Sequence, residues 1–292
     1  MALTSPPAVT PATNGFRLTG VSATPIMTAD STTLSTIFLT PFRGAQIALY
    51  NGNSWDLLSS AEVSLAVTAR TTDLPFDIYA FNSGGVVTLE FLDWTSATAR
   101  ATNLVRKDGV WCKTGDLTRR YVGSCRARSA TTFHWVRAGV DLPAKLDLFN
   151  ADNRVATSFS LIASTNTWNY TIATWRQAQG STNYQIDVMV GLQEESFIAD
   201  LQATSRNSTI SVARSVGIGF DSTTAFTGVA STTTNTVASQ NADQQASLSH
   251  QPTIGRHFYA WLEISAATGT NTFVGDDGAL NIQSGIIGSC TC

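Results

Sequence analysis

The chain has 292 residues, of which 43% are hydrophobic and 13% charged. The length and the apolar content suffice for one large domain or two of ordinary size. The charged fraction is about half the ~25% typical of soluble domains. The formal net charge of −3 lacks the basic excess that neutralises phosphates, which excludes a typical nucleic-acid binder. No stretch approaches the ~18 apolar residues of a membrane-spanning helix, so we expect a soluble protein with neither nucleic-acid nor membrane partners.

The N-terminal residues 1–15 are rich in Pro, Thr and Ala. They have no cationic region followed by an apolar core, as a secretory signal would. The composition favours an extended N-terminal arm that becomes ordered against a partner.

Short runs of alternating apolar and polar residues follow the arm and predict β-strands. Asn51-Gly52 separates two of them and is a strong β-hairpin signal. The runs lie at 16–21, 36–40, 45–50, 54–58, 62–67, 76–81 and 86–92. Their spacing predicts an antiparallel β-sandwich or barrel domain over residues 16–142.

The segment 108–125 is the clearest hairpin pattern in this first domain and is expected to close it. Asp108-Gly109 and Thr114-Gly115 fit tight turns, with alternating residues between and after them. Cys112 and Cys125 lie within the pattern. They form a candidate disulfide if the strands face one another, and they are small buried hydrophobic residues otherwise.

Residues 143–155 are predicted to be a connector, with a short helical turn as one option. Strand patterns resume after it, predicting a second, jelly-roll-like β domain over 156–292. The runs are 168–173, 184–190, 197–202, 209–213, 216–220, 257–265 and 271–274. The low-complexity stretch 230–245 predicts a long exposed loop. The expected fold class is therefore all-β, with two antiparallel β-sandwich or barrel domains.

The residues that carry catalysis or bind metals form no recognisable motif, so we expect neither an enzyme nor a cofactor or metal site. The three histidines, His134, His250 and His257, are far apart, and two of them lie in aromatic strand patterns. Cys290 and Cys292 could bind a soft metal or cross-link, but have no further His or Cys nearby. The candidate acids for glycoside hydrolysis are Glu194, Glu195, Asp276, Asp277, Asp116 and Asp221. A solvated loop is the better explanation for Glu194-Glu195, and a turn, rather than a Ca²⁺ site, for Asp276-Asp277.

Most of the seven tryptophans alternate with polar neighbours and are expected in the core. Trp175 is the least obviously buried. With the neighbouring Arg176 it is a candidate contact for a partner protein or a glycan, the alternative being ordinary packing.

Several segments, in this order along the chain, resemble a family of virion proteins of tailed bacteriophages. They are RLTGVSATP at 17–25, LTPFRG at 39–44, IALYNG at 47–52, VWCKTGDLTRRYVG at 110–123, WRQA at 175–178, VGIG at 216–219 and GRHFYAWLE at 255–263. The family carries no catalytic motif. The resemblance implies a structural role on the particle, as a head decoration protein or a tail-fibre component.

The expected function is therefore that of a bacteriophage structural protein, made in the bacterial cytoplasm and located on the virion surface. Its favoured role is a capsid decoration or cement protein that clamps capsid subunits, with phage capsid or tail proteins as partners. A homo-oligomer is expected, and a trimer would match capsid or fibre symmetry. The alternative is a tail fibre or spike component that binds a host-surface glycan, while a glycan depolymerase is disfavoured.

Overall fold

The computed structural model describes residues 9–278 and 281–291. It confirms the all-β fold: the described residues form 28 strands and one short 3-10 helix. The strands up to residue 150 are β1 (Phe16–Thr19), β2 (Ser31–Leu34), β3 (Thr36–Pro41), β4 (Gln46–Tyr50), β5 (Trp55–Ser59), β6 (Val63–Ala66), β7 (Pro75–Ser83), β8 (Val86–Asp93), β9 (Leu104–Lys107), β10 (Val110–Lys113), β11 (Asp116–Arg126), β12 (Phe133–Val136), β13 (Ala138–Val140), β14 (Ala144–Leu146) and β15 (Leu148–Asn150).

The remaining strands follow the same labelling. They are β16 (Ala156–Ile162), β17 (Thr167–Tyr170), β18 (Arg176–Gln177), β19 (Gln185–Val190), β20 (Phe197–Asn207), β21 (Arg214–Phe220), β22 (Ser231–Thr233), β23 (Ala242–His250), β24 (Gly255–Ile264), β25 (Asn271–Val274), β26 (Asp276–Asp277), β27 (Ile282–Gln283) and β28 (Gly285–Thr291), with the 3-10 helix at Ala178–Gly180. No helix among the described residues is long and apolar enough to cross a membrane.

Three large sheets make up most of the fold. A six-stranded sheet has the order β8-β7-β11-β10-β9, with β15 beside β11. An eight-stranded sheet runs β2-β12-β14-β19-β24-β21-β22 with β18 beside β24, and a seven-stranded sheet runs β13-β16-β28-β20-β25-β17 with β23 beside β20. Nearly all pairs are antiparallel, but β13–β16 and β14–β19 are parallel.

The eight- and seven-stranded sheets face one another as a sandwich with an aromatic interior. Phe197 of β20 stacks on Tyr259 of β24 with ring centroids 4.1 Å apart, and Trp168 of β17 meets Trp261 of β24 at 5.7 Å. Phe197, Tyr259 and Trp261 are almost fully buried. Such rings bury large apolar areas, so their packing is the main attraction between the two sheets.

The sheets do not divide at the predicted connector 143–155. That range contains β14 and β15, which pair with β19 and β11 respectively. Strands β2 and β12, from the first half of the chain, also join the eight-stranded sheet. The first half thus contributes strands directly to the sandwich of the second half. The predicted loop 230–245 likewise overlaps β22 and the start of β23.

The N-terminal segment follows the body of the protein from residue 9, while residues 1–8 of the predicted arm lie outside the described residues. The buried Arg120 donates hydrogen bonds to the carbonyls of Pro11, Thr13 and Ala48 at 2.9–3.0 Å. Asn14 also bonds to Asp152 at 3.0 Å. One guanidinium therefore ties the segment to β4 and β11 of the body.

A buried ion cluster joins the six-stranded sheet to the eight-stranded sheet. Asp187 of β19 lies 3.4 Å from Arg126, 3.2 Å from Arg128 and 2.6 Å from Arg256. Arg128 also pairs with the buried Asp147 at 2.7 Å. Burial and the neighbouring Arg128 lower the pKa of Arg126. The cluster is satisfied only when these sheets hold their present arrangement.

Removing the Asp187 carboxylate should strongly destabilise the fold. In Asp187→Ala the three guanidiniums lose their shared partner in a site with little water, and we expect the free energy of unfolding to fall by about 3–5 kcal/mol. The control Asp93→Ala breaks a more exposed pair with Arg70 and should cost at most about 1 kcal/mol. Urea unfolding at pH 7 measures both. Equal losses in the two variants would contradict the role of the cluster.

A second buried carboxylate, Glu263 of β24, makes stability depend on pH. It accepts hydrogen bonds from Trp168 at 2.7 Å and Arg176 at 2.8 Å. Burial outweighs these contacts and raises the pKa of Glu263 to about 7, against 4.5 in the unfolded chain. Between these values the folded protein retains a proton that the unfolded chain loses.

The Glu263 contribution to stability is therefore full below about pH 4.5 and declines as the pH rises to about 7. The decline amounts to about 3 kcal/mol over that interval. In Glu263→Gln this part of the slope should vanish, since the amide does not titrate. Denaturant unfolding at a series of pH values tests this. A variant slope identical to that of the wild type would disprove it.

Candidate functional site

The hairpin formed by β9 and β10 presents a row of aromatic and cationic side chains to solvent. Its turn residues Asp108 and Gly109 both have positive φ, 51° and 86°, as the sequence predicted. Alternation along β10 buries Val110 and Cys112 and leaves Trp111 half-buried. Trp111 is paired with Arg106 across the hairpin, whose guanidinium lies 4.2 Å from a ring centroid of the indole.

A second hairpin, β4–β5, meets the first. Tyr50 and Trp55 are cross-strand partners with ring centroids 5.6 Å apart. The indole N–H of Trp55 donates to Asp108 at 2.8 Å, and Lys107 lies 5.2 Å from the centre of the Tyr50 ring. The Trp55 hydrogen bond and the Lys107 charge hold the pKa of Asp108 below its usual range. We call Tyr50, Trp55, Arg106, Lys107 and Trp111 the hairpin surface.

The sequence candidate Glu194 lies beside this surface. Its carboxylate is 2.6 Å from Arg154, 3.4 Å from Arg106 and 3.4 Å from the Trp111 indole nitrogen. Glu195 also contacts Arg154 at 3.5 Å. The two candidate acids thus share one arginine as their ion-pair partner. No local sequence pattern predicts the contact between Arg106 and Glu194, which are 88 positions apart.

Two clefts flank Trp111 and Glu194. One, of about 180 Å³, also contains Arg120, Tyr121 and Asp152, and the other, of about 430 Å³, also contains Arg100 and Ile254. Exposed ion pairs contribute little to binding, whereas Trp, Tyr and Arg are the residues that dominate binding at protein interfaces. The residue types at this surface are those suited to contact with a protein.

The candidate contact residues Trp175 and Arg176 lie away from this surface, at the β18 edge of the eight-stranded sheet. Trp175 is half-buried and packs on Phe226, with ring centroids 5.0 Å apart. Arg176 lies over the Tyr170 ring at 3.8 Å and pairs with the buried Glu263 at 2.7 Å. Arg176 is therefore engaged inside the molecule, and a contact role for Trp175 stays a prediction.

The candidate disulfide between Cys112 and Cys125 is not formed in the structure, where both thiols are free and buried. Cys112 is opposite Arg120, and Cys125 is five positions further along β11, opposite Phe76. At ~3.3 Å per residue this separates them by about 17 Å along the strand, beyond disulfide reach. Burial raises the pKa of Cys112 to about 11 and that of Cys125 well above its usual value.

The other candidates occupy structural positions. His257 contacts Asp221 through Nδ1 at 2.7 Å, a pairing that the sequence does not reveal, and its Nε2 lies 2.9 Å from the carbonyl oxygen of Thr253. The Thr253 hydroxyl lies further away, 3.5 Å from the same ring nitrogen. Asp116 accepts a hydrogen bond from Thr118 at 2.6 Å, and Asp276 lies in β26.

Cys290 is partly buried in β28, while Cys292 lies outside the described residues. His134 is in β12 and His250 ends β23. Within ranges 9–278 and 281–291, no three His, Cys, Asp or Glu side chains are grouped as a metal site would require.

Comparison with known proteins gives no family. No family model matches the chain, and no curated protein matches it. Among solved structures, Eiger TNF from S. frugiperda matches 48% of this chain and 92% of its own at 6% identity and a TM-score of 0.31. The insecticidal delta-endotoxin Cry8Ea1 from Bacillus thuringiensis matches 95% of this chain and 51% of its own at 6% identity and a TM-score of 0.28. BuGH86wt in complex with neoagarooctaose matches 87% of this chain and 31% of its own at 9% identity and a TM-score of 0.25.

The buried thiols lead to a prediction about reactivity. At pH 8, iodoacetamide should leave Cys112 and Cys125 unmodified in the folded protein, because alkylation requires an exposed thiolate. In urea, without reductant, both should be alkylated. Peptide mass spectrometry distinguishes the cysteines. Protection that persists in urea and is relieved only by a reductant would instead demonstrate a disulfide.

Proposed function

We propose that this chain is a bacteriophage structural protein on the virion surface, with a role as a head decoration protein that clamps capsid subunits. The observation that carries the proposal is the hairpin surface, where Tyr50, Trp55 and Trp111 alternate with Arg106 and Lys107 on two adjoining hairpins. Aromatic and arginine side chains of this kind supply most of the binding energy at protein interfaces.

The geometry of the hairpin surface suits a clamp. Trp111 and Trp55 are held in place before binding, by Arg106 and Asp108 respectively, so little side-chain entropy remains to be lost on contact. The arginine Arg154 and the carboxylates Glu194 and Glu195 surround the aromatic centre with charge. An apolar centre with a polar rim is the usual plan of a protein interface.

The proposed role is structural rather than catalytic. Supporting this, both candidate acids Glu194 and Glu195 are ion-paired to Arg154. A homo-oligomer, a trimer in the simplest case, would match the symmetry of a capsid and multiply weak contacts through many copies.

Addition of purified protein to particles that lack it tests the proposal. Trp111→Ala should weaken binding by roughly 10–30-fold, as expected for an interface residue worth about 2 kcal/mol. Val229→Ala, which truncates an exposed apolar side chain outside the hairpin surface, is the control and should bind as the wild type does. Co-sedimentation with particles gives the affinities, and thermal unfolding verifies that both variants fold.

The number of copies per particle provides the second readout. A decoration protein should be present in hundreds of copies on the head surface, which quantitative gel analysis and imaging of labelled particles measure. A few tens of copies or fewer, located at the tail, would overturn the head assignment. Unchanged binding of Trp111→Ala would overturn the role of the hairpin surface.

A further inference from the structure

The outer face of the seven-stranded sheet contains a groove across β16, β28, β20 and β23. Its volume is about 460 Å³, within the ~300–1,000 Å³ of small-molecule sites. The strand register aligns Ser160, Ile287, Asp200 and Ser247 in one row across the four strands. Side chains aligned across neighbouring strands point to the same face of a sheet, so this row and the next row on that face form the floor of the groove.

The hollow arises from a glycine in the next row. There the order is Ile162, Gly285, Gln202 and Gln245, so one of the four positions has no side chain. A Cβ at Gly285 would come within 2.5 Å of the Leu161 carbonyl oxygen. Backbone packing therefore excludes larger residues there, and the space between Ile162 and Gln202 stays open.

The polar side chains of the groove have no partners of their own. Most acids elsewhere in the described residues are engaged: Asp77, for example, accepts hydrogen bonds from Trp94, Ser124 and Arg100 at 2.7–2.9 Å. In contrast, none of six groove side chains has a hydrogen bond or ion pair to another described residue. These six are Asp200, Gln202, Gln245, Gln283, Ser160 and Ser247.

We propose that this groove binds a neutral oligosaccharide. A carboxylate and several amides and hydroxyls, spaced along a groove, match the alternating donors and acceptors of sugar hydroxyls. Ile287, which is 52% exposed, offers an apolar surface for the C–H face of a sugar ring. Asp200 is the one charged residue lining the groove, and its negative charge disfavours anionic glycans and nucleic acids.

This inference is independent of the proposed clamp, because the groove and the hairpin surface lie on different sheets. A glycan contact on the seven-stranded sheet would leave the hairpins free for a protein partner. Failure of one proposal therefore leaves the other intact.

The test is a glycan array that carries neutral oligosaccharides of hexoses, N-acetylhexosamines and deoxyhexoses beside sialylated ones. The wild-type protein should bind a subset of the neutral glycans. Asp200→Asn should lower the affinity for the best of them at least tenfold, because the carboxylate accepts two sugar hydroxyls where the amide accepts one and donates. Ser247→Tyr should abolish binding by filling the groove.

The matched control is Asp56→Asn, an isosteric exchange of another surface carboxylate, on β5. It should bind as the wild type does, and thermal unfolding shows that each variant is folded. The proposal would be overturned if no neutral glycan bound, if binding were equal in all variants, or if sialylated glycans were preferred. A concentration-dependent dimer that Ser247→Tyr disrupts would also overturn it and assign the groove to contact between copies.

Discussion

The arrangement of the sheets depends on a single carboxylate, that of Asp187. It is nearly inaccessible to solvent and is approached by Arg126, Arg128 and Arg256. A buried charge is tolerated only when its partners are in place, so alternative placements of the six-stranded sheet would leave cations unpaired. The ion cluster therefore selects the relative placement of the two sheets.

This constraint connects features that are distant in sequence. The end of β11 reaches the cluster through Arg126, and the same strand holds the N-terminal segment through Arg120 and forms the β10–β11 hairpin. A strand fixed at one end in the cluster positions the hairpin surface at the other. The strand that supports the hairpin surface is thus anchored in the interior of the molecule.

The sequence predicts the fold class and the local hairpins well, because these depend on neighbouring residues. Gly52, Asp108 and Gly109 adopt the positive φ of their turns, and Asn51 Oδ1 accepts hydrogen bonds from the N–H groups of Asn53 and Ser54. Strands β14, β15 and β23 escape detection: the first two are three residues long, and β23 alternates small polar residues that look like a loop. Their pairing is set by distant partners. The Glu194–Arg106 contact is equally invisible, since it depends on how two sheets meet.

The two protected thiols bear on the environments in which this protein is stable. Cys112 and Cys125 are packed as small apolar groups in strands of the six-stranded sheet and form no cross-link. At these two positions a reductant such as glutathione finds no disulfide to reduce, and an oxidant such as oxygen cannot reach the sulfur atoms. The six-stranded sheet can therefore form in a reducing cell interior and persist unaltered in an oxidising medium, so its durability does not depend on the redox potential around it.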